Sequence, residues 1–195
     1  ILIAVSVVII PLYAGAESSE VLTQAHLELR GSYSEVCGTC IILRKDNPYD
    51  APARLGLQLY GDNLPFGWST RIGAFRIGPY GSVSTVGTIG KIATGAAITF
   101  RPKDASWEIF TQTGLGYKFK ETPFQHSGSG KPGSQSKEVF NLAIGMRFYF
   151  ENRWYLSLTG EHDSSGSHVG IPLSKKDDIQ NPGIDTVMMG LGMIF

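Results

Sequence analysis

At 195 residues the chain has room for one domain, since domains usually run to about 100–200 residues. Charged residues make up only 17%, aromatics reach 11% and glycine is abundant at 24, a composition that fits a Gly-rich, aromatic-rich all-β protein and gives no sign of disorder. Lys+Arg and Asp+Glu balance at 17 each, so there is no acidic or basic tail to argue for a nucleic-acid partner.

The chain opens on an apolar stretch, Ile1 to Ala16, that closes on the small residues Ala14, Gly15 and Ala16, with Glu17 and Ser18 next. A short apolar core ending in an A-x-A-like site reads as a signal peptide, and it is shorter than the ~20 apolar residues of a membrane-spanning helix. Residues 1–16 are therefore expected to be a secretory signal, cut short at its start because no Met or basic region precedes it. Residues 17–195 are expected to form the folded domain.

Beyond that point the apolar residues recur with a period of two. Strands are expected near 24–35, then around Leu55, Leu57 and Leu59, which oppose Arg54, Gln58 and Tyr60. A third is expected near 66–77. Ile92, Ala96, Ile98 and Phe100 oppose Lys91, Thr99 and Arg101, and Trp107, Ile109, Leu115, Tyr117 and Phe119 oppose Glu108, Gln112, Lys118 and Lys120. The last three segments are the clearest: Phe140 to Phe150, Trp154 to Leu158, and Val187 to Phe195 place their large apolar residues on one face. The other face carries Asn141, Arg147, Ser157, Thr159, Glu161, Asp163, Gly190 and Gly192. Successive side chains of a strand point to opposite faces, so alternation of this length is a β signal.

Face chemistry and length separate a soluble sandwich from a membrane barrel. Several segments run to the ~9–11 residues that cross a bilayer as a tilted strand. Aromatics such as Trp68, Phe100, Trp107, Phe119, Phe148 and Trp154 cluster at segment ends, as interfacial girdles require. Short links are expected at Asp62–Pro65, Pro102–Ala105 and Glu151–Arg153. Longer Gly/Ser/Pro-rich connections are expected after the first, third, fifth and seventh strands, with 121–136 and 166–182 the plainest. The expected architecture is an eight-stranded antiparallel transmembrane β-barrel in the bacterial outer membrane.

A barrel does not specify a function, and the chemistry-bearing stretches are Gly160–Gly170 and Gln180–Thr186. His162 and Ser164 are two apart, so both share the face of Trp154, Leu156 and Leu158, while Asp185 shares the parity of Val187 and Met189. Opposed residues on neighbouring antiparallel strands have Cβ atoms ~4.5–5.5 Å apart, so an acid, a base and a hydroxyl are within reach of one another near the external rim. That is the logic of a nucleophile activated by a base that an acid orients. The plainer reading is that three polar residues mark where the strands leave the membrane.

His162-x-Ser164, followed by Asn181-x-Gly183-Ile184-Asp185 at the opening of the last strand, resembles the lipid A 3-O-deacylase family, the PagL-like acyloxyacyl hydrolases. The resemblance implies a serine esterase with an exterior site that removes the 3-O-linked acyl chain of lipid A, without metal or other cofactor. It casts Ser164 as nucleophile, His162 as base and Asp185 as orienting acid. Gly166 and Asn181 become oxyanion-hole donors through their backbone N–H groups. The partner it implies is the lipopolysaccharide of the outer leaflet, and a homo-oligomer is left open. The chain departs from the family where Ser165 replaces the usual Asn and Asp185 the usual Glu, and the linking loop is longer.

Two other functions are weighed beside the esterase: a non-enzymatic structural or adhesion barrel, and an acyltransferase working on lipopolysaccharide. Glu161 and Asp163 are expected in the lumen. His168 is a rival base, His126 is expected to be solvated, and Cys37 and Cys40 are expected to form a local disulfide in an external loop.

Overall fold

The computed structural model describes residues 24–35, 54–86, 89–120, 137–150, 153–165 and 184–195, all of them strand or tight turn. In chain order the strands are β1 (Gln24–Glu35), β2 (Arg54–Leu64), β3 (Phe66–Ser69), β4 (Gly73–Val86), β5 (Ile89–Pro102), β6 (Trp107–Lys120), β7 (Glu138–Tyr149), β8 (Trp154–Ser165) and β9 (Ile184–Ile194). Each long strand pairs antiparallel with its chain neighbours. The cylinder closes where β1 meets β9. Because β3 continues β2 along the same edge of β4, the nine strands make eight staves, and the fold is the expected eight-stranded antiparallel barrel.

Residues 62–65 are not the tight turn that the sequence suggests. Pro65 has no N–H for the ladder, and there the pairing with β4 steps by one residue while the chain carries straight on into β3. The bulge presses Asn63 and Pro65 against Gly78, where any Cβ would overlap the Asn63 carbonyl. The chain reverses instead at Thr70–Ile72, closed by the Thr70 N–H donating to the Gly73 carbonyl at 2.8 Å. The segment expected as one strand near 66–77 therefore straddles a turn. The connection after β4, expected to be long, spans only residues 87–88. The expected short links after β5 and β7 are present, between Pro102 and Trp107 and between Tyr149 and Trp154. The long connections, the proposed signal at 1–16, the two cysteines and His126 lie outside the described residues.

The faces are inverted relative to a soluble barrel. Met189 is 71% exposed and Ile144 64%, with Leu29, Leu57, Leu156 and Leu158 also on the outside, while Arg30, Glu108, Asn141 and Arg147 are fully buried within. An outer surface this apolar around a charged interior is stable only where lipid, not water, surrounds it. Trp68, Phe75 and Phe100 stack in a row at the end that carries the short turns, with ring centroids 5.4 and 4.5 Å apart, which places an aromatic girdle at that interface.

The lumen is closed by a continuous polar network. Arg147 donates to Glu108 at 2.8 Å and to Asp62 at 3.0 Å. Arg30 holds Glu28 at 2.7 Å and Gln58 at 3.1 Å, and Gln58 reaches Glu161 at 3.1 Å. Tyr155 and Ser157 both donate to Glu28. The two guanidiniums lie over aromatic rings, Arg30 at 3.9 Å from the Tyr60 centroid and Arg147 at 4.4 Å from that of Phe110, a geometry that attracts a cation electrostatically. Small residues opposite make room: a side chain at Gly145 would strike the Phe110 ring, and one at Gly192 the Tyr155 ring.

Removing one member of a buried ionic group strands its partners, at a cost of about 3–5 kcal/mol. Arg147→Met leaves Glu108 and Asp62 without their shared cation. It is expected to lower barrel stability by that amount in urea unfolding from lipid, whereas the triple neutral variant Arg147→Met, Glu108→Gln, Asp62→Asn recovers most of the loss.

Candidate active site

The site is built from the outer ends of β7, β8 and β9, away from the short turns. Along β8 the alternation is uninterrupted: Leu156 and Leu158 are exposed, while Ser157, Thr159 and Glu161 are buried in the lumen. His162 and Ser164 continue the outward parity, and both are half-buried. A strand places i and i+2 on one face, so the two side chains leave the same surface of the barrel.

The ladder between β8 and β9 sets His162 directly opposite Asp185. On the other side, β7 puts Leu142 beside His162 and Phe140 beside Ser164. In register the line thus runs Leu142, His162, Asp185, and then Glu35 of β1, which is the register partner of Asp185 on its far side. Directly opposed residues share a face and bring their Cβ atoms to ~4.5–5.5 Å. A base is therefore flanked by an acid on one strand and a leucine on the other, with a hydroxyl two residues further along its own strand.

The wall around this row is apolar. Ile144, Leu158, Val187 and Met189 lie on the same outer face just below the row, each well exposed. They form the surface against which acyl chains of the surrounding leaflet lie. A head group at the rim would then meet the polar row where the strands emerge.

Of the residues singled out from the sequence, His162 and Asp185 are register partners across β8 and β9, and Ser164 lies two residues beyond His162 on β8. Gly166, Asn181 and His168 lie outside the described residues. Glu161 and Asp163 face the lumen, as expected. Glu35 carries no signal in the sequence; the closure of β1 on β9 makes it the register partner of Asp185. Lys91 was read merely as an inward residue. In the folded barrel its ammonium meets Glu161 at 2.5 Å and Asp163 at 2.6 Å, the two neighbours of His162. Among the described residues, no group of three or more His, Cys, Asp or Glu side chains is gathered to hold a metal ion.

No family model and no curated protein matches the sequence. Solved structures do match the fold. The outer membrane enzyme PagL superposes with a TM-score of 0.55 at 13% identity, over 86% of this chain and 97% of that one. The N-terminal β-barrel domain of Pseudomonas aeruginosa OprF superposes with a TM-score of 0.50 at 12% identity, over 88% of this chain and 97% of that domain. At such identities the likeness is one of architecture. Joined to the lipid-facing exterior and the charged, closed lumen, it makes the chain an eight-stranded β-barrel of the bacterial outer membrane.

Proposed function

We propose that the protein is a serine esterase of the outer membrane that hydrolyses the 3-O-linked acyl chain of lipid A at an exterior-facing Ser–His–Asp triad. The observation that carries this reading is the β8–β9 register, which sets Asp185 opposite His162 while Ser164 follows two residues on along the same face.

In this scheme the Ser164 hydroxyl attacks the ester carbonyl carbon as His162 takes its proton. Asp185 holds the imidazole in the tautomer that can accept and stabilises its charged form. The tetrahedral oxyanion is met by backbone N–H groups assigned to Gly166 and Asn181. It collapses with loss of the sugar 3-oxygen, to which His162 returns the proton. Water, deprotonated by the same imidazole, then attacks the acyl-serine, releases the fatty acid and restores Ser164. Neither half-reaction needs a cofactor. An outward site suits a substrate that is itself a lipid of the outer leaflet: the acyl chain lies beside the barrel wall from the start, and no tunnel is required.

A non-enzymatic structural or adhesion barrel is the second reading. The closed, ion-paired lumen is in keeping with it, because such an interior serves a purely structural stave cylinder as well as an enzyme scaffold. The fold itself carries no weight between the two readings.

Mass spectrometry of lipid A from cells expressing the protein decides between them. Wild type is expected to remove one 3-linked hydroxyacyl group, recovered as free fatty acid, and Ser164→Ala to leave lipid A intact. Transfer of the chain to another lipid marks an acyltransferase instead. Intact lipid A in both strains, with the barrel inserted, leaves the non-enzymatic reading. With purified protein, Asp185→Asn is expected to reduce turnover by up to about 10⁴-fold, the size of the loss when an orienting acid becomes an amide and favours the wrong tautomer.

The register itself is open to a separate check. In a Cys37→Ser, Cys40→Ser background, cysteines at 162 and 185 are expected to form a disulfide on mild oxidation, because opposed Cβ atoms at ~4.5–5.5 Å need only a small approach to reach the ~3.5–4.5 Å that a disulfide spans. The pair 162 and 187, one step out of register, is expected to stay reduced.

A further inference from the structure

The esterase chemistry leaves unused the ionic cluster directly behind the site. Lys91, buried on β5, reaches across the lumen to β8 and holds Glu161 and Asp163 together, at 2.5 and 2.6 Å. Each carboxylate has a second donor: Gln58 of β2 on Glu161 at 3.1 Å, and Asn141 of β7 on Asp163 at 2.8 Å. Asn141 is itself held by the Tyr80 hydroxyl at 2.8 Å. In the chain the two carboxylates bracket His162, and Asp163 also stands next to Ser164.

We propose that Lys91 is a positioning residue for the outward pair His162 and Ser164: by tying both inward neighbours of His162 across the lumen, it fixes which way the outer end of β8 faces. The assignment to catalysis rests on the esterase reading above; the mechanical tie does not.

The tie acts through the pleat of the strand. Among the described residues the β8–β9 ladder is followed to Asp163, opposite Ile184, and the β7–β8 ladder to Ser165, opposite Val139. Side chains at i and i+2 share a face and those at i+1 take the other. Clamping 161 and 163 inward thus clamps 162 outward and sets the direction in which 164 leaves the clamp. Without the ammonium, two carboxylates two residues apart on one face of a buried strand would repel each other and turn the strand end. Lys91 keeps the inward parity of Ala93 and Ala97, and the register shift beside it is taken up on β6, where Phe119 is the extra residue between the partners of Gly90 and Lys91.

The test uses full-length protein in lipid bilayers, with Cys37 and Cys40 replaced by Ser. A nitroxide is attached at Ser164→Cys and, as a control lower on the same face, at Leu156→Cys. With Lys91 present the 164 label is expected to be immobilised. With Lys91→Met its mobility rises several-fold and a water-soluble relaxation agent gains access, while the 156 label is unchanged. Lys91→Arg restores the immobile spectrum. With Ser164 intact, turnover on lipid A is expected to fall about 10–100-fold in Lys91→Met at unchanged KM, in keeping with the cost of a misplacement of about 1 Å, and to recover in Lys91→Arg. If Lys91→Met does not insert, Asp163→Asn, which keeps the Lys91–Glu161 pair, carries the same test. An immobile 164 label in the inserted variant overturns the tie. A loosened label with undiminished turnover overturns the catalytic assignment. A loosened label where even the wild type leaves lipid A intact sinks the esterase reading and leaves the tie standing.

Discussion

The structure depends on neutralising charge inside a cylinder too narrow for bulk water. An eight-stranded barrel has an interior just wide enough for side chains to fill, so every inward charge must be matched by another side chain. Here the matching is continuous. It runs from Asp62 and Arg147 at the turn end, through Glu108, Glu28, Arg30 and Gln58, to Glu161, Lys91, Asp163 and Asn141 at the outer end. The links Asp62–Arg147, Glu28–Arg147, Gln58–Glu161 and Lys91–Glu161 join staves that are not neighbours in the sheet. The network therefore braces the cylinder across its bore, which hydrogen-bonded ladders running around the wall do not do.

That division of labour frees the exterior. With all structural polarity turned inward, the outer wall is apolar up to the rim, and a polar group left on it stands out. His162 and Ser164 continue the outward parity of β8 and are two such groups, and the ladder sets Asp185 opposite His162. A polar residue on the lipid face near the interface costs only about 0–1 kcal/mol, so the rim tolerates such a cluster where the bilayer midplane would not.

Much of this was legible in the sequence because a strand advertises its two faces. The run from Phe140 to Phe150 told inside from outside residue by residue, and the parity of His162, Ser164 and Asp185 followed without knowledge of the register. Two kinds of information were not local. Pro65 looked like a turn because proline cannot donate to a ladder, yet a bulge satisfies that constraint as well as a reversal does, and only Gly78 on the facing strand tells which applies. The cross-lumen partners were also hidden: Gln58 and Glu161, or Glu28 and Tyr155, lie more than a hundred residues apart, and no pattern within either segment names the other. Glu35 belongs to this class, since barrel closure alone seats it beside Asp185.

The segment from Gly160 to Ser165 carries both halves of the design in alternation, scaffold at the odd positions and candidate chemistry at the even ones. A strand can slip by one residue without losing backbone hydrogen bonds, and a slip exchanges its faces. In most strands of a lipid-facing barrel that error is penalised by putting leucines into the lumen. Near the rim the outward residues are polar, and this penalty is weak for His162 and Ser164. What penalises a slip there is the other face, because Glu161 and Asp163 would turn to the lipid and Lys91 would be left buried without either carboxylate. The cross-lumen ion pairs thus supply register information at the one stretch of β8 where hydrophobicity cannot, and a site made of polar residues on a membrane wall needs such a device on the opposite face of its own strand.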